Sequence, residues 1–327
     1  MAKKPENGNY LTLEDVRISY DRKNDSIHLT SKDPELSNGF NLTLNGGRKA
    51  ENALRELLER HGFLAQNPEN NLPNFLDAKE RPSSSKWNLI PLGKSDSGTL
   101  FWNTSLHPNA LTVGVAGSGK TVLIDGMIEH CSKHKDKWEV HAFDISGIAF
   151  ARLFKENPGS FDVISTTLVD ADTHIKYLRT EMKKRYAILE SLESGRFEDI
   201  KEPPKSLMVV LDNAALLLDS KSYSGKYDQE EFFFRQSISS VLGEILESGS
   251  KVGIHVAISL QAVRGEILPV ADRSFISARF VLGRQNELAS VMALGNNSGH
   301  TKIRHGIKGR GLAQFDGVEI PFQAYSS

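Results

Sequence analysis

A glycine-rich octapeptide constrains the fold of this chain more than any other feature. It runs Gly114-Val-Ala-Gly-Ser-Gly-Lys-Thr121 and matches the pattern G-x-x-x-x-G-K-[ST]. The alternating apolar residues Leu111, Val113 and Val115 predict a buried strand that leads into it. After it, apolar side chains recur at helical spacing from Ile124 to Cys131. Strand, loop and helix in this order favour a built site over a chance glycine-rich turn.

The chemistry of this loop points to a nucleoside triphosphate. Glycines let successive backbone N–H groups point inward, and the following helix directs its positive N-terminus at the same place. Lys120 is then placed to reach the β- and γ-phosphates and the Thr121 hydroxyl to ligate Mg²⁺. We therefore predict bound ATP and Mg²⁺. The predicted nucleotide-binding residues are Gly114, Gly117, Ser118, Gly119, Lys120 and Thr121.

Composition bounds the remaining possibilities. The chain has 327 residues, of which 39% are hydrophobic and 25% charged, as in an ordinary globular protein. Its formal net charge is −1, so any polyanion must bind a local patch or a lumen formed on assembly. Cys131 is the only cysteine, which excludes intrachain disulfides. No apolar run is long enough to span a membrane and no signal peptide is visible. We expect a cytoplasmic protein.

The first 64 residues predict a small α+β module. Residues 1–9 are expected to be disordered, and residues 10–64 combine strand and helix patterns. The predicted elements are strands at 16–20, 26–30 and 40–44 and a helix at 49–60. A docking or oligomer-positioning role, with a protein partner bound through residues 10–62, competes with DNA contact. The cations available for DNA contact are Arg22, Lys23, Arg48 and Lys49, which also suit a solvated face.

Residues 65–87 are rich in Pro, Asn and Ser without periodicity, which indicates a linker or an extended strap over the next domain. From residue 88 to 327, strand and helix patterns alternate, the signature of an α/β domain with a mainly parallel sheet. Strands are predicted at 111–115, 138–143, 161–164, 207–211, 254–260, 278–282, 311–315 and 318–322, and long helices at 172–194 and 230–248.

An acidic residue ends one buried strand in the form of a Walker B motif. The run Leu207-Met-Val-Val-Leu211 is apolar and closes on Asp212. Open parallel sheets place ligand sites at the carboxyl ends of their strands. We therefore predict that Asp212 holds Mg²⁺ together with Thr121. Strand patterns lie between Lys120 and Asp212, so the Asp212 strand is not the next one along the chain, as in motor-type ATPases.

The residue after Asp212 is Asn213, where motor ATPases carry a catalytic glutamate. An amide orients water but cannot take its proton, and loss of a general base costs about 10²- to 10⁴-fold in rate. Either another carboxylate substitutes or the protein binds ATP better than it hydrolyses it. The acids to examine are Asp144, Asp219, Glu230 and Glu231. Gln261, at the end of another buried strand, is a candidate γ-phosphate sensor, with a capping amide as the alternative.

Residues 299–311 form a basic segment without any acid. Such a segment suits contact with a phosphate backbone or with a neighbouring subunit's nucleotide, and a solvated loop is the alternative. Lys302, Arg304 and Lys308 are the candidate DNA contacts. Arginine fingers, which stabilise charge across a subunit interface, are predicted among Arg279, Arg284 and Arg310.

These motifs together resemble the FtsK/SpoIIIE family of DNA-translocating ATPases over about residues 88–327. Five stretches match in order, and the tail is closest to members from actinobacterial phages and mobile elements. They are Pro91–Gly98, Gly114–Thr121, the Glu181-Met-Lys-Lys-Arg-Tyr186 helix, Val209–Asp212 and Gly253–Gln261.

The resemblance implies a RecA-like P-loop NTPase fold, a hexameric ring and double-stranded DNA in its channel. It implies phosphate and Mg²⁺ binding by Lys120, Thr121 and Asp212, with Gln261 sensing the γ-phosphate. Asn213 departs from the family pattern, and we expect neither the winged-helix domain nor a membrane anchor. Two functions follow: an ATP-driven DNA translocase, or an ATP-binding structural or adaptor protein in which hydrolysis is weak or lost.

Overall fold

The computed structural model describes residues 16–21, 26–31, 41–45, 72–192, 197, 200–220, 229–304 and 306–326. The chain divides into two compact units, residues 1–70 and 71–327. The predicted disorder of residues 1–9, the predicted helix at 49–60 and the cations at 22, 23, 48 and 49 all lie outside the described residues.

The first unit contains a three-stranded antiparallel sheet in the order β1-β2-β3. The strands are β1 (Val16–Asp21), β2 (Ser26–Ser31) and β3 (Asn41–Asn45). The three strands predicted here from alternating apolar and polar residues are confirmed.

The second unit is built on one large sheet with the order β5-β4-β13-β12-β11-β6-β10-β9-β7-β8. Neighbours run parallel from β11 to β8 and antiparallel from β5 to β11. The mainly parallel sheet is thus confirmed. Its strands are β4 (Leu89–Ser95), β5 (Gly98–Asn103), β6 (Asn109–Gly114), β7 (Trp138–Phe143), β8 (Val163–Ser165), β9 (Ser206–Leu211), β10 (Ile254–Leu260), β11 (Ala278–Leu282), β12 (Arg310–Phe315) and β13 (Val318–Ala324).

Helices cover both faces of this sheet, because the central strands are apolar on both sides. One core cluster joins α1 to the sheet, and the other joins α3 and α5 to the opposite face. Strands β9 and β10 are buried at every position. The helices are α1 (Lys120–Lys133), α2 (Ala151–Glu156), α3 (Leu168–Glu190), α4 (Ala215–Leu218), α5 (Gln229–Ser248), α6 (Val270–Ser274), α7 (Glu287–Leu294) and α8 (Ser298–Thr301).

Two features of this unit differ from the sequence prediction. The β4–β5 hairpin was not predicted; its register shifts between Pro91 and Gly93, which interrupts the simple alternation of a strand. The long helix α3 begins four residues earlier than predicted, because the Thr167 side chain accepts a hydrogen bond from the Asp170 amide and caps it.

Residues 72–77, here called the strap, run beside the last described residues of the chain. Leu72 and Leu76 are buried. The Ser326 amide donates to the Leu76 carbonyl at 2.7 Å, and Asp77 forms a parallel bridge with Ser326. Among the described residues, no helix has the length and hydrophobicity to cross a membrane.

Candidate nucleotide site

The glycine-rich loop joins β6 to α1, and three of its glycines are required by the local backbone. Gly117 and Gly119 have φ of +78° and +104°, a region that side chains disfavour. At Gly114, a Cβ atom would overlap the Leu282 carbonyl oxygen and lie 2.5 Å from the Ser118 Oγ. The loop is therefore shaped by backbone conformation at two positions and by close packing on β11 at the third.

Helix α1 presents an uncapped N-terminus at this loop. Its N-cap is Gly119 and no side chain accepts from its first N–H groups, which leaves them suited to phosphate oxygens. The Lys120 Nζ donates to the Val115 carbonyl at 3.1 Å, inside the same loop. Burial lowers the pKa of Lys120, and the nearby charge of Asp212 opposes that shift. Thr121 follows on the same turn and is half-buried.

Asp212 lies at the carboxyl end of β9, which β10 separates from the loop strand β6. Burial raises the pKa of Asp212 and the Asp144 charge adds to the shift, while Ser259 and Lys120 lower it. Its Oδ1 is buried without a partner at hydrogen-bond geometry among the described residues, and so is the Ser259 Oγ. An unpaired buried carboxylate oxygen beside a lysine suits a hard cation such as Mg²⁺, so the residues present fit the predicted metal.

The strand between the two motifs contributes two polar residues. Ser259 lies on β10 opposite Thr112 of β6, and its carbonyl accepts from the Ala214 amide at 2.9 Å. Gln261 follows directly after β10 and is exposed at the same edge. Gln261 thus follows the strand that lies between those of the two motifs, and its role as a γ-phosphate sensor stays a prediction. Ser259 was not singled out from the sequence, although it is two residues before Gln261 at a strand end.

Asn213 adopts a left-handed backbone conformation, with φ of +46°. Asparagine tolerates this region better than most residues, and glutamate does not share that tolerance. The backbone at position 213 therefore accommodates asparagine better than it would accommodate glutamate, the residue found there in the family that the sequence resembles.

The other acids considered as a base are engaged elsewhere. Asp144 accepts hydrogen bonds from the Ser146 hydroxyl at 2.5 Å and from the amides of Gly147 and Phe150. Asp219 pairs with Arg264 at 2.9 Å, and Glu231 lies 3.5 Å from Arg235. Glu230 is exposed on the first turn of α5. Among these predicted acids, Asp144 is the one whose charge reaches Asp212.

A further buried acid, Asp125, was missed in the sequence. It lies on α1 one turn after Thr121 and pairs with Arg152 at 2.9 Å. Burial raises the pKa of Asp125 to about 6. The spacing of four from Thr121, which places both on one helix face, was the available signal.

The three candidate finger arginines have different environments. Arg310 is fully buried and bonds within its own chain. A finger must reach out of its subunit, so the position of Arg310 does not support that prediction. Arg279 is half-buried and donates to the carbonyls of Ile276, Ala293 and Arg273. Arg284 is exposed and follows Gly283, which packs on Ser118.

The predicted DNA-contact cations also differ in their environments. Lys302 forms an ion pair with Glu319 at 2.8 Å. Arg304 is half-buried, whereas Lys308 is exposed and precedes Gly309, whose amide donates to the Ser118 carbonyl. Of the three, Lys308 is therefore adjacent to the phosphate-binding loop.

A cavity of about 800 Å³ opens at the opposite edge of the sheet. Its lining includes Ser206 and Gly253, at the amino ends of β9 and β10. Because the phosphate-binding loop lies at the carboxyl ends of these strands, this cavity is not the nucleotide site.

The ten-stranded, mainly parallel sheet with the glycine-rich loop at the end of β6 is a P-loop NTPase fold, as the sequence predicted. No protein-family model matches the sequence, and no curated protein matches it. Among solved structures, the pCW3 conjugation coupling protein TcpA, in a monomer form with ATPγS, matches with a TM-score of 0.73 at 20% identity. The match covers 95% of this chain and 88% of that one.

Two secretion ATPases show the same fold. The cytoplasmic domain of the Type VII secretion ATPase EccC from Thermomonospora curvata matches with a TM-score of 0.62 at 15% identity, over 78% of this chain and 28% of that one. ATPases 2 and 3 of EssC from Geobacillus thermodenitrificans match with a TM-score of 0.60 at 17% identity, over 78% and 47%. At these identities the likeness establishes the fold.

Proposed function

We propose that this chain is an ATP-driven motor that moves double-stranded DNA and works as a ring of identical copies. The observation that carries the proposal is the placement of Lys120 beside the buried carboxylate of Asp212, with Gln261 exposed at the same edge of the sheet. Phosphoryl transfer is catalysed mainly by positioning and charge stabilisation, which these groups provide.

Each residue has a definite part in this proposal. Lys120 and the first amides of α1 bind the phosphates. Thr121 and Asp212 would hold Mg²⁺, which when bound neutralises charge on the phosphate oxygens. Gln261 senses the γ-phosphate next to the attacking water. Asn213 offers a hydrogen bond to that water but no proton acceptor.

Two exposed apolar surfaces support assembly into a ring. Strand β8 is an edge strand of the sheet and exposes Val163, and the segment that precedes it in the chain exposes Ile148 and Phe154. A second apolar surface is formed by Leu288 and Val291, one turn apart on α7. Two different surfaces on one chain suit a head-to-tail contact, which closes into a ring when the rotation allows.

Double-stranded DNA as the substrate is supported by the resemblance in the sequence and by the fold shared with a conjugation coupling protein. Lys308, exposed beside the loop, is the described cation best placed to connect the DNA with the nucleotide. Arg284 is the remaining finger candidate, since it is exposed next to Gly283.

The alternative is an ATP-binding structural or adaptor protein on the same fold. Asn213 favours it, because the described acids nearest the site are engaged in other contacts. In that case ATP would fix an assembly, and turnover would stay low with or without DNA.

Steady-state ATP hydrolysis with and without linear duplex DNA, combined with the particle mass by analytical ultracentrifugation, tests the proposal. We expect DNA to raise turnover, Lys120→Ala to abolish that rise, and ATP plus DNA to produce a ring-sized particle. Phe154→Asp should prevent the ring and the stimulation while leaving ATP binding intact. Turnover near zero under all conditions, with ATP still bound, would establish the adaptor function instead.

A further inference from the structure

Arg310 makes an unusual set of contacts for a residue in a basic segment. It is 0% exposed. Its Nε donates to the Gln323 Oε1 at 3.1 Å, and its Nη2 donates to the strap carbonyls of Leu72 and Pro73 at 3.2 and 2.9 Å. One guanidinium therefore joins β13, the last strand along the chain, to the strap.

The backbone next to Arg310 contacts the phosphate-binding loop. The Gly309 amide donates to the Ser118 carbonyl at 3.0 Å. Gly309 has φ of +77°, and a Cβ there would lie 2.8 Å from the Gln323 Nε2. On the other side, the Arg310 carbonyl accepts from the amide of Gly283, the residue that packs on Ser118.

Gln323 completes the arrangement. Its Nε2 donates to the Lys308 carbonyl at 2.8 Å while its Oε1 accepts from Arg310. The Ala324 amide donates to the Gly309 carbonyl, also at 2.8 Å. Gln323 and Ala324 thus fix the backbone on either side of the Gly309 amide, which donates to Ser118.

We propose that Arg310 is a positioning residue of the nucleotide site: through Gln323 and the strap carbonyls it fixes Gly309, and Gly309 fixes the loop at Ser118. The inference rests on the proposed nucleotide binding at this loop. It assigns Arg310 a role within its own subunit. It also couples the strap to the loop indirectly, through Arg310 and the adjacent Gly309.

The arrangement predicts reciprocal coupling. If docking of the strap stabilises the binding-competent loop, then nucleotide bound to the loop stabilises the strap contacts by the same factor. Movement of the strap would then change the affinity of the site for nucleotide.

The test compares three full-length variants by titration calorimetry with ATPγS and by thermal unfolding. Arg310→Met keeps the length of the side chain but removes its donors. Gln323→Met removes the amide that links Arg310 to the Lys308 carbonyl. Arg185→Met is the matched control, since Arg185 is buried and bonds Glu181 and the Val252 carbonyl at the far edge of the sheet.

We expect Arg310→Met to raise the Kd for ATPγS about tenfold, as for loss of one charged hydrogen-bonding group, and Gln323→Met to raise it severalfold. Arg185→Met should lower the unfolding temperature but leave the Kd within about twofold. Equal Kd values in the wild type, Arg310→Met and Gln323→Met would overturn the proposal. An absence of binding by the wild type would instead overturn the nucleotide site itself. If Arg310→Met fails to fold, Gln323→Met decides.

Hydrogen exchange distinguishes a positioning role of Arg310 from a purely structural one. ATPγS should slow exchange in peptides covering residues 306–311 and 322–326 of the wild type and of Arg185→Met, and less so in Gln323→Met. Exchange in these peptides that is indifferent to ATPγS in the wild type, at saturating ligand, would contradict the coupling.

Discussion

Lys120 and Asp212 lie close enough for each to shift the other's pKa, although they follow different strands and β10 lies between those strands. The lysine is partly desolvated and the carboxylate is largely buried. A buried pair of opposite charges with an unpaired carboxylate oxygen is a preorganised environment for a polyphosphate and its cation. This relationship links the two halves of the site.

Removal of the Lys120 ammonium should abolish tight nucleotide binding. We expect Lys120→Ala to raise the Kd for ATPγS by roughly 10- to 100-fold, because a charge-assisted hydrogen bond contributes about 1.5 to 3 kcal/mol. Titration calorimetry measures this change. Lys205→Ala is the control, since Lys205 is exposed at the opposite edge of the sheet and should leave the Kd unchanged. Equal affinities in both variants would place the nucleotide elsewhere.

An acid introduced after Asp212 should raise hydrolysis, provided that the backbone accepts it. Because Asn213 has a positive φ, Asn213→Asp is the suitable variant, and we expect a rise in turnover of at least about tenfold. Asn213→Glu adds a conformational cost of about 1 to 2 kcal/mol and should lower the unfolding free energy by that amount. Initial-rate kinetics and urea unfolding measure the two effects.

The control for this series is Asn213→Gly, which keeps the left-handed backbone but supplies no acid. It should leave stability nearly unchanged and turnover no higher than in the wild type. A turnover unchanged by Asn213→Asp, in a folded protein that binds ATP, would mean that another group already takes the proton.

Much of this site was predictable because its signals are local. The loop of residues 114–121 has a fixed spacing, and the apolar runs that precede Gly114 and Asp212 are long enough to predict buried strands. The loop and Asp212 were expected to lie close together because parallel strands place their carboxyl ends at one edge of the sheet. The sequence also predicted that Asp212 does not follow the next strand along the chain, and β7 and β8 do lie between α1 and β9 in chain order.

The rest depended on contacts between distant parts of the chain. Arg310 was interpreted from its basic neighbours, but its acceptor on Leu72 lies 238 positions earlier, and no local pattern reports such a partner. The β4–β5 hairpin, by contrast, was missed for a local reason, because its register shift between Pro91 and Gly93 interrupts the alternation of the strand. Asp125 lies in an apolar helix face, where its burial became visible only with the sheet beneath it.

The close approach of β6 and β11 leaves no space for a side chain at Gly114, so we expect this glycine to be needed for stability. Gly114→Ala should destabilise the protein by about 3 kcal/mol, because the methyl group overlaps the Leu282 carbonyl and neither backbone can withdraw without breaking the sheet. Gly98→Ala provides a matched comparison: Gly98 has φ of +113° with open space around it, so only conformational strain of about 1 kcal/mol is expected. Urea unfolding without nucleotide measures both, and similar losses would refute a steric role for Gly114.

Buried histidines should make the fold sensitive to acid. Burial lowers the pKa of His130, His141, His174 and His255 to about 4 each. A base whose folded-state pKa lies below its ordinary value of 6.5 stabilises the fold above pH 6.5, and this contribution is lost as the pH falls toward 4. Asp125 acts in the opposite sense, since its pKa is raised to about 6 and its protonation on acidification favours the folded state.

His255 isolates one of these contributions. Its ring packs edge-on against Trp138, with centroids 5.2 Å apart, so His255→Phe retains the aromatic packing and removes the titration. The unfolding free energy of the wild type should fall relative to that of the variant between pH 6.5 and 4, by up to about 1.4 kcal/mol per pH unit. Urea unfolding at pH 7.5, 6 and 5 tests this, and two curves that stay parallel across those values would show that His255 takes up no extra proton on unfolding.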